Sequence, residues 1–195
     1  HTASHVLAHA VKRLYPGAKL AIGPAIENGF YYDFDVETAF TPEDLDTIEA
    51  EMKRIIKENL RLEQYTLDAQ EAIDFMLRIG EDYKAELIRE HAGKGEKISF
   101  YKQGEFHELC AGPHLTDTSR IKAFKLLSST GVYWRGDSNN KMLQRIYGTA
   151  FTNKDEMDAY LAAVEEAKKR DHNIIGRQLG FFMTSELIGQ GLPLL

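Results

Sequence analysis

Apolar residues recur at intervals of three and four along much of this chain, the spacing of helices with one buried face. Ala3, Val6, Leu7, Ala10, Val11 and Leu14 make the first such stripe, so residues 2–15 read as a helix that Pro16-Gly17 ends. At about 100° per residue, His1, His5 and His9 fall almost opposite that stripe and are expected to face solvent, or a cleft covered by something else. Leu45, Ile48, Met52, Ile55, Ile56 and Leu60 mark a second helix, opened by a capping Thr41 with Pro42 at its first position. A third starts at Asp68, with Glu71 as its capping partner, and stops at Gly80. Residues 81–91 read as a fourth that carries Lys84, on its own a surface lysine. A last helix runs from Asn153 to Arg170, with acids richer at its start and Lys168-Lys169-Arg170 at its end, which complements the helix dipole.

Elsewhere the pattern alternates. Residues 19–35 read as a hairpin around Asn28-Gly29, with Phe30, Tyr32 and Phe34 on one face of the second strand. Residues 98–101 and 105–110 read as a second hairpin that delivers Cys110 to a strand end, and residues 123–127, 132–135 and 142–147 as three further strands. Trp134, Arg135, Lys141, Arg145 and Tyr147 gather near the last turn. Aromatics interleaved with cations suit a single-stranded nucleic-acid end, and equally a polar strand face. Helices with an antiparallel sheet make the expected class α+β.

Composition narrows the function. The chain has 195 residues, 43% of them hydrophobic, enough for a core and against disorder. No apolar run reaches the ~18 residues of a membrane span, and no signal peptide is evident. A single cysteine excludes an internal disulfide and fits a reducing cytoplasm. A net charge of −6 argues against a nonspecific nucleic-acid coat while leaving room for a local groove. The chain opens without Met inside a histidine motif and closes on Gly189-Gln190-Gly191-Leu192-Pro193-Leu194-Leu195, so it reads as part of something longer.

The chemistry concentrates in two short segments, His1-Thr2-Ala3-Ser4-His5 and Glu108-Leu109-Cys110-Ala111-Gly112-Pro113-His114. Histidines at i and i+4 share a helix face, and Ala-Gly-Pro between Cys110 and His114 reads as a turn that brings both side chains together. One reading is a zinc site, because a thiolate with imidazoles suits that ion. Another is metal-free hydrolysis, with a neutral histidine taking a proton from water and a lysine stabilising the oxyanion; Cys110 as nucleophile is a variant of it. A buried inert cysteine with satisfied histidines is the plain alternative.

These motifs, with Ala21–Asp33 and Thr130–Thr149, closely resemble the editing domain of threonyl-tRNA synthetases. The paired histidine and cysteine-histidine motifs are shared with alanyl-tRNA synthetase editing domains, and the segment from Trp134 to Thr149 points to the threonyl family. The resemblance implies an editing domain over residues 1–151, a linker helix over 152–170 and the start of a class II catalytic domain over 171–195. It implies hydrolysis of Ser-tRNA(Thr). Serine differs from threonine by one methyl, and a missing methylene is worth only about 1–3 kcal/mol in a pocket, so a second sieve is needed.

By motif, the resemblance places His1, His5, Cys110 and His114 around the site and Lys84, in Gly80-Glu81-Asp82-Tyr83-Lys84, as its lysine. Glu108 stands where the family usually has Asp, and Tyr32 and Tyr101 are expected to help seat the adenosine or aminoacyl group. A histidine, His1 favoured, activates or orients water, Lys84 supports the developing charge, and Cys110 and His114 shape the amino-acid pocket. The family picture makes threonyl editing metal-independent; if zinc is bound, His1, His5, Cys110 and His114 hold it. The implied partners are the tRNA(Thr) acceptor end and the rest of a synthetase chain, a homodimer in the cytoplasm without membrane contact. ATP, Mg and a catalytic-domain zinc belong to regions beyond Leu195. The rivals are a zinc-dependent alanyl-type deacylase and a non-catalytic tRNA-binding module.

Overall fold

A computed structural model describes residues 1–170 and the short segments Met183–Thr184 and Pro193–Leu194. The chain divides into two compact units, His1–Thr152 and Asn153–Leu195.

The first unit is built around helix α1 (Thr2–Leu14), every residue of which from Thr2 to Val11 is buried. Its apolar stripe faces Phe30, Tyr32 and Phe34 of strand β3 (Gly29–Asp35) and Ile48, Met52 and Ile55 of helix α2 (Pro42–Lys57) in one core cluster. Thr41 opens α2 with a reciprocal capping box, accepting from the Asp44 N–H while Asp44 accepts from Thr41. The main sheet is antiparallel. Strand β1 (Lys19–Leu20) pairs β3, β3 pairs β8 (Met142–Phe151), and β8 pairs β7 (Ala123–Tyr133); β2 (Ala25–Ile26) also pairs β3.

A second, three-stranded antiparallel sheet of β4 (Leu62–Thr66), β5 (Ser99–Gln103) and β6 (Phe106–Leu109) carries α3 (Ala69–Arg78) and α4 (Asp82–Gly93). Ala72 and Met76 of α3, Ala85 and Ile88 of α4, and Phe100 of β5 form its core. Asp68 caps α3 by accepting the Glu71 N–H. The start of α4 is tied to α1 and β1 through Glu81, whose carboxylate meets Lys12 at 2.7 Å and accepts the Leu20 N–H at 2.7 Å.

In the second unit, Asn153 caps α5 (Lys154–Lys169) by accepting from Glu156, and Met183–Thr184 pairs antiparallel with Pro193–Leu194. The expected synthetase catalytic start at 171–195 otherwise lies outside the described residues. None of the described helices is long and apolar enough to cross a membrane.

Four elements differ from the sequence pattern. The strands expected over 123–127 and 132–135 are one strand that ends at Tyr133, with an irregularity between Leu126 and Ser128, and Trp134–Gly136 form a 3-10 turn instead. The polar run Ser128-Ser129-Thr130-Gly131 hides that continuity because β8 pairs it throughout. Strand β4 gives no alternating signal because it is a largely exposed edge strand. In the first hairpin the loop residues are Glu27-Asn28. Gly29 already pairs with Ile26, and a Cβ on it would lie 2.1 Å from the Gly148 carbonyl oxygen.

Candidate active site

Two chain segments more than a hundred residues apart meet at the N-terminus of α1. His1 is the N-cap residue of α1 and His5 lies one turn on. Cys110 follows β6 and is fixed by Ser99, whose carbonyl accepts the Cys110 N–H at 3.0 Å and whose hydroxyl donates to the Cys110 carbonyl at 2.8 Å. The loop then turns through Gly112, whose φ is +79°; a Cβ there would lie 2.4 Å from the Tyr101 hydroxyl, so only glycine lets the loop close onto that ring. His114 returns against both helix histidines, with ring centroids 4.2 Å from His1 and 4.0 Å from His5. Tyr101 meets His114 edge-on at 4.4 Å.

Cys110 Sγ lies 3.4 Å from His1 Nε2 and 3.2 Å from His114 Nε2, and accepts the Gly112 N–H at 3.2 Å. Burial holds the His5 ring well below its ordinary value, with Lys84 and His114 adding to the effect. Burial also lowers His114 to about 4 and pushes the Cys110 thiol up, against the opposing pull of the Gly112 N–H. Near neutral pH, His5 and His114 are therefore uncharged imidazoles and Cys110 is a thiol, a weak nucleophile.

Beyond the cluster lies a fixed pair of opposite charges. Lys84 and Glu108 are both buried, and Lys84 Nζ is ion-paired with Glu108 Oε1. The Tyr32 hydroxyl donates to Glu108 Oε2 at 2.6 Å, and burial with this carboxylate keeps the phenol well above its ordinary value. Each carboxylate oxygen thus has one partner, as a buried charge requires.

A cavity of about 400 Å³ joins these groups. It is lined by His1, His5 and Cys110, by Lys84, Glu108 and Tyr32, and by the Ile22-Gly23-Pro24 loop and Ser99. Imidazoles, a fixed cation and a small concave space are thereby in one place.

Every residue the resemblance placed at the site is in or beside this cavity. His114 and Tyr101 do not line it themselves and pack their rings against His5. Lys84 is no surface lysine, because β6 brings Glu108 across α4 to pair with it. Tyr32 presents its ring to the cavity while its hydroxyl is committed to Glu108. His9 goes elsewhere: it is buried, stacks on Phe106 at 5.0 Å, and lies between the Gln103 amide at 2.9 Å and Arg13 Nε at 3.1 Å. The second sheet covers the face of α1 that the stripe leaves polar.

The suggested nucleic-acid surface around Trp134 also changes, because its cations are paired. Arg145 grips Asp33 with two nitrogens at 2.7 and 2.8 Å, Lys141 meets Asp35, and Arg135 meets Glu86 and Glu90.

Sequence reasoning missed Thr2, Ser4 and Gly23. Thr2 Oγ1 lies 3.2 Å from His114 Nδ1 and accepts the Leu115 N–H at 3.0 Å. The Ser4 hydroxyl spans the carbonyls of His1 and Gly23 at 2.7 and 2.9 Å, which ties the start of α1 to the cavity loop. The only signal for Thr2 and Ser4 is position, inside His-x3-His on the turn that carries the site, and Gly23 is marked only by its place in the Ala21–Asp33 segment.

The four ligand-type atoms of His1, His5, Cys110 and His114 lie within 4.8 Å of one another. Zinc bonds of about 2.0–2.3 Å in a tetrahedron would set such atoms about 3.3–3.6 Å apart, so these residues fit that ion after a small contraction. His5 Nδ1 is buried without a hydrogen-bond partner among the described residues.

Residues 98–147 match the family described as the threonyl and alanyl tRNA synthetase second additional domain. The chain is 63% identical over 193 residues to a threonine--tRNA ligase of Acetivibrio thermocellus, and 62% identical over 193 residues to one of Clostridium botulinum. It is 61% identical over 195 residues to one of Clostridium perfringens. These matches cover 99–100% of this chain and 30% of each relative, so the chain spans about a third of their length. Residues 98–147 thus match the second additional domain of the threonyl and alanyl tRNA synthetases, and the whole chain is similar to a stretch making up about a third of the threonine--tRNA ligases.

Proposed function

We propose that this chain removes serine from mischarged tRNA(Thr) by hydrolysing the ester between the amino acid and the terminal adenosine. The reading is carried by one juxtaposition: a buried Lys84–Glu108 pair, an uncharged His5 and His1 line one small cavity. His1 takes a proton from water as the water oxygen attacks the ester carbonyl carbon. The carbonyl oxygen gains the negative charge, which Lys84 stabilises. The ester C–O bond then breaks, and the proton held by His1 passes to the departing ribose oxygen. Glu108 holds Lys84 in place from one side and Tyr32 holds Glu108 from the other. Cys110 and His114 shape the amino-acid pocket, since a thiol pushed up by burial is poorly suited to attack. Tyr101 and the ring of Tyr32 help to seat the aminoacyl-adenosine end.

A zinc-dependent alanyl-type hydrolase is the second reading, favoured by the close fit of the four ligand atoms. There His1, His5, Cys110 and His114 would hold the ion, which when bound supplies Lewis acidity. The cation of Lys84, close enough to His5 to lower its proton affinity, also opposes a divalent ion there and supports the metal-free reading.

In this proposal residues 1–151 are the editing domain, 152–170 a linker helix and 171–195 the start of the catalytic domain. The whole enzyme would be a cytoplasmic homodimer using ATP, Mg and a catalytic-domain zinc, none of which editing requires. The test is deacylation of Ser-tRNA(Thr) beside Thr-tRNA(Thr), with and without a chelator. Loss of serine alone, unaffected by chelation, is expected. Loss abolished by chelation, with preference for Ser-tRNA(Ala), would establish the second reading. Binding of tRNA without any hydrolysis would make the chain a binding module.

A further inference from the structure

The cluster contains a hydrogen-bonded series that the roles above leave unused. The Leu115 N–H reaches Thr2 Oγ1, Thr2 Oγ1 reaches His114 Nδ1, His114 Nε2 reaches Cys110 Sγ, and Cys110 Sγ reaches His1 Nε2. The direction of its first link is fixed. A backbone N–H can only donate, so Thr2 Oγ1 accepts from Leu115. The Thr2 hydroxyl then has its own proton to give. In the first turn of α1 there is no preceding carbonyl of the same helix to take it, and His114 Nδ1 lies 3.2 Å away. Thr2 is 5% exposed, so solvent competes little for that proton.

We propose that Thr2 is a positioning residue whose hydroxyl donates to His114 Nδ1 and fixes His114 as the tautomer protonated at Nε2. The remaining directions follow. His114 Nε2–H points to Cys110 Sγ and the S–H proton points to His1 Nε2, so Nε2 is the basic nitrogen of His1 and takes a water proton when the weak S–H donor turns away. No bond is made or broken in this arrangement; it sets which nitrogen of His1 is basic. The proposal deepens the reading of His1 as the base and rests on it for its catalytic consequence. A zinc ion on His114 Nε2 would require the opposite tautomer, protonated at Nδ1.

The first measurement needs neither substrate nor variant. Long-range proton–nitrogen NMR of the chain near neutral pH reads each imidazole nitrogen of His114. A protonated Nε2 with a bare Nδ1 is expected; a protonated Nδ1 overturns the proposal. The second compares Thr2→Val with Thr2→Ser. In Thr2→Val, His114 should become a mixture of tautomers, and kcat for Ser-tRNA(Thr) should fall about tenfold while KM stays within about twofold, the pattern of a lost transition-state interaction. Thr2→Ser keeps the hydroxyl and should restore both signals. A Thr2→Val chain that retains a single Nε2–H tautomer and full kcat would also overturn it. If the unaltered chain shows no deacylation, the proposed function fails, and the tautomer measurement still decides the role of Thr2. If Thr2→Val does not fold, the unaltered chain and Thr2→Ser carry the test.

Discussion

The ion pair between Lys84 and Glu108 stabilises the fold only while both members are present. Two buried charges lose their hydration, and their attraction offsets that loss; removing one leaves the other stranded, at a cost of about 3–5 kcal/mol. Lys84→Met should therefore cost about 3 kcal/mol in urea unfolding, whereas Lys84→Met with Glu108→Leu should recover stability to within about 1 kcal/mol of the unaltered chain. Deacylation should be lost in both, because the cation is gone in both. Equal stability of the single and double variants would show that the pair is not the buried unit described here. This unit also marks where reading residues one at a time stops. Composition makes Lys84 an ordinary helix lysine, and only the motif resemblance set it apart. Its burial is created by Glu108, which lies on a strand of the second sheet, and by Tyr32, which lies on the first. No spacing rule connects positions 32, 84 and 108.

At the scale of elements, the loop between β1 and β2 sets one side of the cavity by pressing glycine onto an aromatic ring. A Cβ on Gly23 would fall 2.0 Å from Cδ2 of Tyr32. That ring cannot yield easily, since it stacks on Phe34 at 4.8 Å and is anchored by its hydroxyl on Glu108. Gly23→Ala should destabilise the chain by about 1–3 kcal/mol, as overpacking of a filled core does, and should lower deacylation. Gly17→Ala is the control: it has open space around it, and the change should be neutral or stabilising by up to about 1 kcal/mol. Equal melting temperatures for the two variants would contradict the close packing of loop on ring. The helices were legible in the sequence because caps and apolar stripes are local, as the hydrogen bonds of Thr41, Asp68 and Asn153 show. The strands were less so. β4 and the middle of β7 carry polar residues whose strand character comes from their pairing, which local periodicity does not report.

For the whole first unit, α1 is the shared element: one sheet and α2 cover its apolar stripe, and the second sheet covers its histidine face. The sequence showed the stripe and the histidines, yet not that both faces would be buried, because the covering residues lie some hundred positions away. This burial makes stability depend on pH. Burial holds His5 well below its ordinary value, and His9 and His114 at about 4. In the unfolded chain the same rings take up protons near pH 6.5. Between about pH 6.5 and 4 the unfolded state therefore binds more protons than the folded state, and stability falls as pH falls. Each proton taken up contributes at most about 1.4 kcal/mol per pH unit. Asp44, Glu49 and Glu58 act lower on the scale. Their folded values are depressed, so the stability they contribute is present above the ordinary carboxylate range and is lost on further acidification. Urea unfolding at a series of pH values should thus show a first loss between pH 6.5 and 4.5, before the carboxylates protonate. His9→Gln keeps a polar group between Gln103 and Arg13 while removing one titrating ring, and should make that first slope shallower. A midpoint that stays flat from pH 7 to 5 would mean that these rings gain protons equally in the folded chain, and that the second sheet does not seal them.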